Sequence, residues 1–249
     1  MLKHTSLFLA YELRSTFKNP IWPLFGIVQP VLYLLMFAPL LANTGVGGGQ
    51  AEALLVFAPG MLVMLALFST LFVGFAMIAD IRGGVLERLA VSPANRAAII
   101  LGRTVRDSLL LVAQAVVLLV LALAMGMRPN PIGVAVTLVL MAMTGVLAST
   151  LSYGMALALR EENAMSQIMQ FFILPLMLLT GVLLPISLAP AWMRAAAQVN
   201  PLYHAVEAAR ALFAGDFADP SIVIAFAVIG ALAAVTVRWS IASMRRLAG

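Results

Sequence analysis

Six long runs free of charged residues alternate with short polar segments along this chain, at 20–42, 53–79, 108–127, 131–159, 164–186 and 221–237. A helix rises about 1.5 Å per residue, so each run is of the length that crosses roughly 30 Å of hydrocarbon. The pattern predicts six membrane-spanning helices. Between the fifth and sixth runs, 187–220 is apolar in part but interrupted by Pro190, Arg194, Asn200, Pro201, Glu207, Arg210, Asp216 and Asp219. Neither half holds an uncharged stretch long enough to span, which predicts short re-entrant helices lying at or dipping into one interface. Ahead of the first run, Leu2, Leu9, Leu13 and Phe17 fall on one side of a helical wheel and Lys3, Arg14 and Lys18 on the other. That spacing predicts an amphipathic interfacial helix over 1–19, with a loosely ordered basic leader as the alternative. Asn19-Pro20 turns the chain toward the bilayer. The fold class expected is therefore an all-α membrane protein, a single transmembrane domain over 1–249.

Composition supports this reading: 63% of residues are hydrophobic and 10% charged, and the mean hydropathy is +1.06. Soluble domains carry roughly a quarter charged residues. The net charge of +5 reports topology rather than nucleic-acid binding. Twelve of the fifteen Lys and Arg residues fall in alternate connections: Lys3, Arg14 and Lys18; Arg82, Arg88, Arg96, Arg103 and Arg106; Arg160; and Arg238, Arg245 and Arg246. Only Arg128, Arg194 and Arg210 fall on the other side. The positive-inside rule then places both termini, and the 80–107 connection, in the cytoplasm of a multi-pass plasma-membrane protein, with 187–220 as an extracellular insertion. No small-residue cleavage site follows a short apolar core, so the leader is expected to stay attached.

Several chemistries are excluded. With no cysteine there is no disulfide, thiolate nucleophile or Cys-ligated metal. The two histidines, His4 and His204, fall on opposite sides and cannot share a metal. No His-Glu-x-x-His or Gly-x-Ser-x-Gly string occurs, so catalytic, cofactor-binding and metal residues are all absent from the expected sites. Lys3 and Lys18 are the only lysines and neither belongs to a P-loop, so ATP and Mg, if used, are bound by a partner. The glycine-rich 43–50 loop has no following Lys-Ser/Thr and reads as a flexible turn. No run carries an ionisable residue near its middle; Glu52, Asp80 and Asp107 sit at ends, so the usual site for proton coupling is missing. Sodium coupling through carbonyls and hydroxyls such as Ser69, Thr70, Thr144, Ser149, Thr150 and Thr180 stays open beside the bland reading of these as helix contacts.

The longest inner connection, 80–107, has the form of a surface meant for contact. Gly83-Gly84 lets the chain leave the second run sharply, 85–91 can form two helical turns, and Ser92-Pro93 breaks them before a second helix begins. On that short helix Leu86 and Leu89 offer apolar contact, while Glu87 and Arg88 can pair with charges on a soluble protein. The alternative is that Arg82, Arg88, Arg96, Arg103 and Arg106 bind lipid phosphates and fix topology.

This loop, with its acidic-basic-Leu turn, Ser92-Pro93 and following Arg96, resembles the first cytoplasmic loop of the type-2 ABC exporter permeases, especially the daunorubicin-resistance (DrrB-like) branch. A second likeness runs through Gly181, Leu184-Pro185, Pro190-Ala191-Trp192, Asn200-Pro201-Leu202, Ala205, Ala209 and Arg210, and a weaker third through Arg160-Glu161-Glu162-Asn163-Ala164. Together, in this order of elements, they cover essentially the whole chain. The resemblance implies a permease subunit that pairs with a second permease copy or paralogue and with nucleotide-binding ATPase subunits. It implies that Leu86, Glu87, Arg88, Leu89, Val91, Ser92, Pro93 and Arg96 form a coupling helix and its flank, and that Pro185, Asn200, Pro201, Glu207 and Arg210 belong to an extracellular gate segment. Glu207 and Arg210, three apart, are also placed to pair along one helix. The uncharged runs suggest an amphipathic drug, lipid or lipid-linked glycan as cargo, and Met61, Met64, Met141, Met143, Met155, Met169 and Met177 with Phe68, Phe72, Phe171 and Phe172 offer either an adaptable lining or ordinary packing. The competing functions are an ion-coupled or uncoupled secondary transporter and a structural membrane subunit.

Overall fold

The computed structural model describes residues 21–42, 49–84, 96–182, 186 and 189–246. The expected leader helix, Leu86, Glu87, Arg88, Leu89, Val91, Ser92 and Pro93 of the coupling loop, and Pro185 lie outside the described residues, as does the side chain of Arg96. All regular structure among the described residues is helical: α1 Ile21–Ala42, α2 Gln50–Thr70, α3 Val73–Arg82, α4 Arg96–Ala124, α5 Pro131–Leu159, α6 Glu162–Thr180, α7 Ala191–Val199, α8 Pro201–Ala214 and α9 Pro220–Arg246. Among the described residues, five stretches are long and apolar enough to cross a bilayer, namely Gln50–Arg82, Ala97–Ala124, Pro131–Leu159, Glu162–Thr180 and Pro220–Arg245. α1, 22 residues long, covers the first predicted run.

α2 is apolar on every side and is therefore the hub, since a helix without a polar face has to be surrounded. Leu54, Ala58 and every residue from Met61 to Ala66 are fully buried. α1, α4, α5 and α8 pack around it. α5 is the second organiser, touching α2, α3, α4, α6, α8 and α9. α6 and α9 lie outermost, with exposed apolar faces that include Phe171, Phe172, Leu174 and Leu178 on α6 and Val223, Leu232 and Val235 on α9. In a bilayer such faces meet lipid or another chain.

Two helix starts are marked by an asparagine cap followed by proline. Pro131 and Pro201 stand at the first helical positions of α5 and α8, and the side chains of Asn130 and Asn200 cap those helices by accepting from Ile132 N at 3.0 Å and Leu202 N at 3.0 Å. α9 begins behind Asp219, whose carboxylate accepts from Ser221 N at 2.8 Å, a bond that holds the carboxyl below its ordinary range.

Two boundaries and the packing of one short helix differ from the sequence reading in ways that bear on the site. The second run does not form one helix: α2 stops at Thr70 and α3 resumes at Val73. The third run begins earlier than the uncharged stretch, because α4 starts at Arg96 and carries Arg103, Arg106 and Asp107 on its buried side. Charged residues were used as span limits, but these find partners inside the bundle. The 187–220 segment does form two short helices, and α8 is more deeply packed than an interfacial helix needs to be: Leu202, Ala205, Val206, Ala208, Ala209, Leu212 and Phe213 are all buried.

Small residues set the closest approaches. A Cβ on Gly133 would lie 1.8 Å from the carbonyl oxygen of Leu212, so α8 rests directly on the first turn of α5, and Asn130 N donates to Phe213 O at 3.0 Å beside it. Gly133→Ala should force these helices apart at a cost of about 1–3 kcal/mol, read as a lower thermal-unfolding midpoint in detergent. Gly230→Ala, whose Cβ meets only the flexible tip of Met143 at 3.2 Å, should leave the midpoint nearly unchanged. Equal effects of the two would contradict this packing.

Candidate functional site

Among the described residues, ion-paired side chains inside the bundle gather in two clusters, one at each end. One cluster lies where the 85–95 loop leaves α3 and rejoins at α4. Arg103 of α4 reaches Asp80 of α3 at 2.6 Å and the sulfur of Met77 at 3.5 Å. One turn on, Arg106 donates from Nε at 2.9 Å and from Nη2 at 2.6 Å to Oδ1 of Asp107. The hydroxyl of Tyr153 on α5 donates to the other oxygen, Oδ2, and itself accepts from Arg106 Nη2 at 3.4 Å. Asp107 is 3% exposed and Arg103 8%. Charges so enclosed are tolerated only when paired and hydrogen-bonded, and here two carboxylates answer two guanidinium groups. At the rim, Arg82 of α3 meets Glu162 of α6 at 3.3 Å. α3, α4, α5 and α6 are thus joined at this end by charge. Arg106 and the end of α4 at Ala124 are 18 residues apart, about 27 Å along the helix, so the cluster sits near one boundary of the hydrocarbon, not at its centre.

The other cluster forms where α8 covers the ends of α2 and α6. Arg210 donates from Nη2 to Gly181 O at 2.8 Å, from Nε to Val56 O at 3.1 Å and from Nη1 to Glu207 Oε1 at 2.7 Å. The planar fork of guanidinium suits it to holding several acceptors at once. Gly181 closes α6 in the left-handed conformation with φ 69°, which leaves its carbonyl free to accept. Asn200, buried between α7 and α8, donates from Nδ2 to Leu176 O at 3.0 Å while its oxygen caps α8. Together Asn200 and Arg210 staple α8 across α6 and α2. Burial pushes the Tyr203 phenol on α8 up, with the Glu207 carboxylate adding to the shift and Arg210 opposing it.

The residues predicted from sequence are divided between these ends. Asn200, Pro201, Glu207 and Arg210 do come together, and the expected Glu207–Arg210 pair forms. The two backbone carbonyls taken by Arg210 were not foreseen; an arginine one position from the buried Ala209 and two from Leu212 was the available signal. The cluster of Asp80, Arg103, Arg106, Asp107 and Tyr153 was missed as a unit because its four charged members fall in the 80–107 connection, where they read as loop charges, and Tyr153 lies 46 residues beyond Asp107. Of the Met and Phe residues offered as a lining, Met61, Met64, Met141 and Met169 are packed in the core, whereas Phe171 is 73% exposed on α6.

Comparison with known proteins follows the same lines. The family described as ABC-2 type transporter matches residues 4–214. A daunorubicin resistance ABC transporter permease protein, DrrB1, of Streptomyces coeruleorubidus is 25% identical over 76% of this chain and 67% of its own length. A putative transport permease, ycf38, of Cyanophora paradoxa is 27% identical over 79% of this chain and 69% of its own.

Removing the carboxylate in Asp107→Leu takes away the buried acceptor that Arg106 and Tyr153 share and should cost about 3–5 kcal/mol. Tyr153→Phe removes one hydrogen bond and should cost about 1–2 kcal/mol. Thermal unfolding in detergent checks the order; a Tyr153→Phe midpoint as low as that of Asp107→Leu would contradict the assignment of charge pairing as the dominant contact.

Proposed function

The chain belongs to the ABC-2 type transporter family, and from that premise we propose that it is the six-span permease subunit of an ATP-driven exporter that moves an amphipathic drug, lipid or lipid-linked glycan outward across the plasma membrane. A membrane permease of an ABC transporter carries no ATPase site of its own, in keeping with a sequence that contains no P-loop string. Nucleotide-binding subunits would hold ATP and Mg below the bilayer and grip the 85–95 loop, with Leu86 and Leu89 as apolar contacts, Glu87 and Arg88 as polar ones, and Val91, Ser92, Pro93 and Arg96 setting the turn into α4. A second copy or a paralogue would cover the exposed apolar face of α6 and complete the pathway. Asn200, Pro201, Glu207 and Arg210, with Pro185, would cap its outer end.

The observation that supports this reading is the pairing of the two helices on either side of residues 85–95. That segment joins α3 to α4, the two helices locked by Asp80 and Arg103 at 2.6 Å. A pull on the loop therefore acts on a charged joint tied to α5 and α6 rather than on a loose strand of chain. Closure of the ATPase pair would shift that joint and so the arrangement of the spans. The daunorubicin-resistance relative favours drug-like cargo within the wider class.

The reading predicts that the double reversal Glu87→Arg/Arg88→Glu weakens co-purification of the ATPase roughly tenfold, the equivalent of about 1.4 kcal/mol, while membrane insertion is unchanged. A complex as stable as the wild type would remove the coupling assignment, and sodium-driven transport by the purified chain without any ATPase would favour the secondary-transporter reading.

A further inference from the structure

The second membrane-crossing stretch is broken at Leu71–Phe72, and the break has an identifiable cause. Sharp interruptions arise at proline, at glycine pairs or where a side chain enters the backbone ladder. Here the hydroxyl of Ser152, from α5, enters the ladder. It donates to Leu71 O and accepts from Gly74 N at 2.9 Å, standing in for the helix's own partners on both sides of the gap. Thr70 adds to the interruption by turning its hydroxyl back onto Ala66 O at 2.6 Å. Gly74 is the residue that lets the two helices meet, since a Cβ there would lie 2.6 Å from Ser152 O and 2.5 Å from the tip of Met165.

Beyond the break the character of the contacts changes. α2 is buried over most of its length, whereas α3 buries only Gly74, Met77 and Ile78. At its far end α3 is held by ion pairs, Asp80 to Arg103 at 2.6 Å and Arg82 to Glu162 at 3.3 Å, the second of them exposed. Apolar cores resist sliding, and the enclosed Asp80–Arg103 pair is costly to part, whereas the exposed Arg82–Glu162 pair is worth little and exchanges readily with water. A short, lightly buried helix with a broken ladder at one end and, at the other, one latching pair and one exchangeable pair can swing when the latch is pulled.

We infer that α3 is a lever whose pivot is the Leu71–Phe72 break, that Ser152 is the positioning residue that pins the pivot, and that the Asp80–Arg103 and Arg82–Glu162 pairs fix its resting position. The inference rests on the permease reading, because the lever ends where the 85–95 loop begins. α3 has ten residues and so measures about 15 Å. A tilt of about 20° at the pivot carries its loop end by about 5 Å, enough to part both ion pairs while α2 and the α8 end stay still. Movement of the loop is then converted into a local change at the inner ends of α4, α5 and α6 rather than a shift of the whole bundle.

The chain contains no cysteine, so introduced cysteines report without background. Gly83→Cys with Asn163→Cys, spin-labelled in the permease–ATPase complex, places one probe at the end of α3 and one at the start of α6 without touching either ion pair. Arg128→Cys with Ala218→Cys provides a reference at the α8 end. Trapping the ATPase with ATP and vanadate should change the first distance by about 5 Å and leave the second fixed. An unchanged first distance in a complex that traps nucleotide overturns the lever while leaving the permease reading intact; failure of any ATPase to co-purify strikes the permease reading instead. Ser152→Ala should broaden the resting distribution of the first distance and uncouple it from trapping while vanadate-sensitive hydrolysis continues, and Ser152→Thr should restore it. If Ser152→Ala behaves as wild type, the pin is wrong. If it does not assemble, the wild-type background still decides the lever.

Discussion

A charge enclosed in this bundle has to be answered by protein, because the surrounding hydrocarbon offers no hydrogen bonds. Asp107 is the sharpest instance. Its carboxylate is enclosed, and it is stable there because Arg106 and Tyr153 take its two oxygens. That demand brings α4 and α5 into one register, and the neighbouring Arg103 extends it to Asp80 of α3. The alignment of these helix ends thus follows from charge satisfaction as much as from apolar packing. In water the same groups could separate at little cost; here separation exposes a charge to an apolar medium.

The opposite end uses another device. Arg210 and Asn200 spend their hydrogen bonds on main-chain carbonyls of α2 and α6 rather than on acidic partners alone. Carbonyl contacts made by a rigid fork fix position closely and depend little on salt. With Gly133 pressed against Leu212 O, they make the α8 end a stiff lid on the bundle. A stiff end and a charge-latched end suit a machine worked from one side: movement is admitted where contacts can exchange and suppressed where they are made by backbone.

The long apolar runs identified the bundle directly, because hydrophobic length is a one-dimensional property and survives without knowledge of neighbours. The Glu207–Arg210 pair was legible from spacing along one helix, whereas the grip of Arg210 on Gly181 and Val56 depends on chain segments 29 and 154 residues away. The helix break at Leu71 leaves no mark in its own vicinity other than Thr70 and Gly74; its cause is a serine 81 residues further on. Treating Asp80 and Asp107 as limits of spans concealed the buried cluster, since a charge marks a boundary only when it lacks a partner within the fold.

The central claim is that this chain is a permease driven from the cytoplasm through the segment between α3 and α4. The most direct measurement is the sidedness of that segment. Ala90→Cys, introduced into the cysteine-free chain, should react with a membrane-impermeant maleimide in inverted vesicles and stay unlabelled in intact cells, with Ala218→Cys showing the reverse. Labelling of Ala90→Cys from the outer surface would leave a cytoplasmic ATPase nothing to hold and would contradict the account.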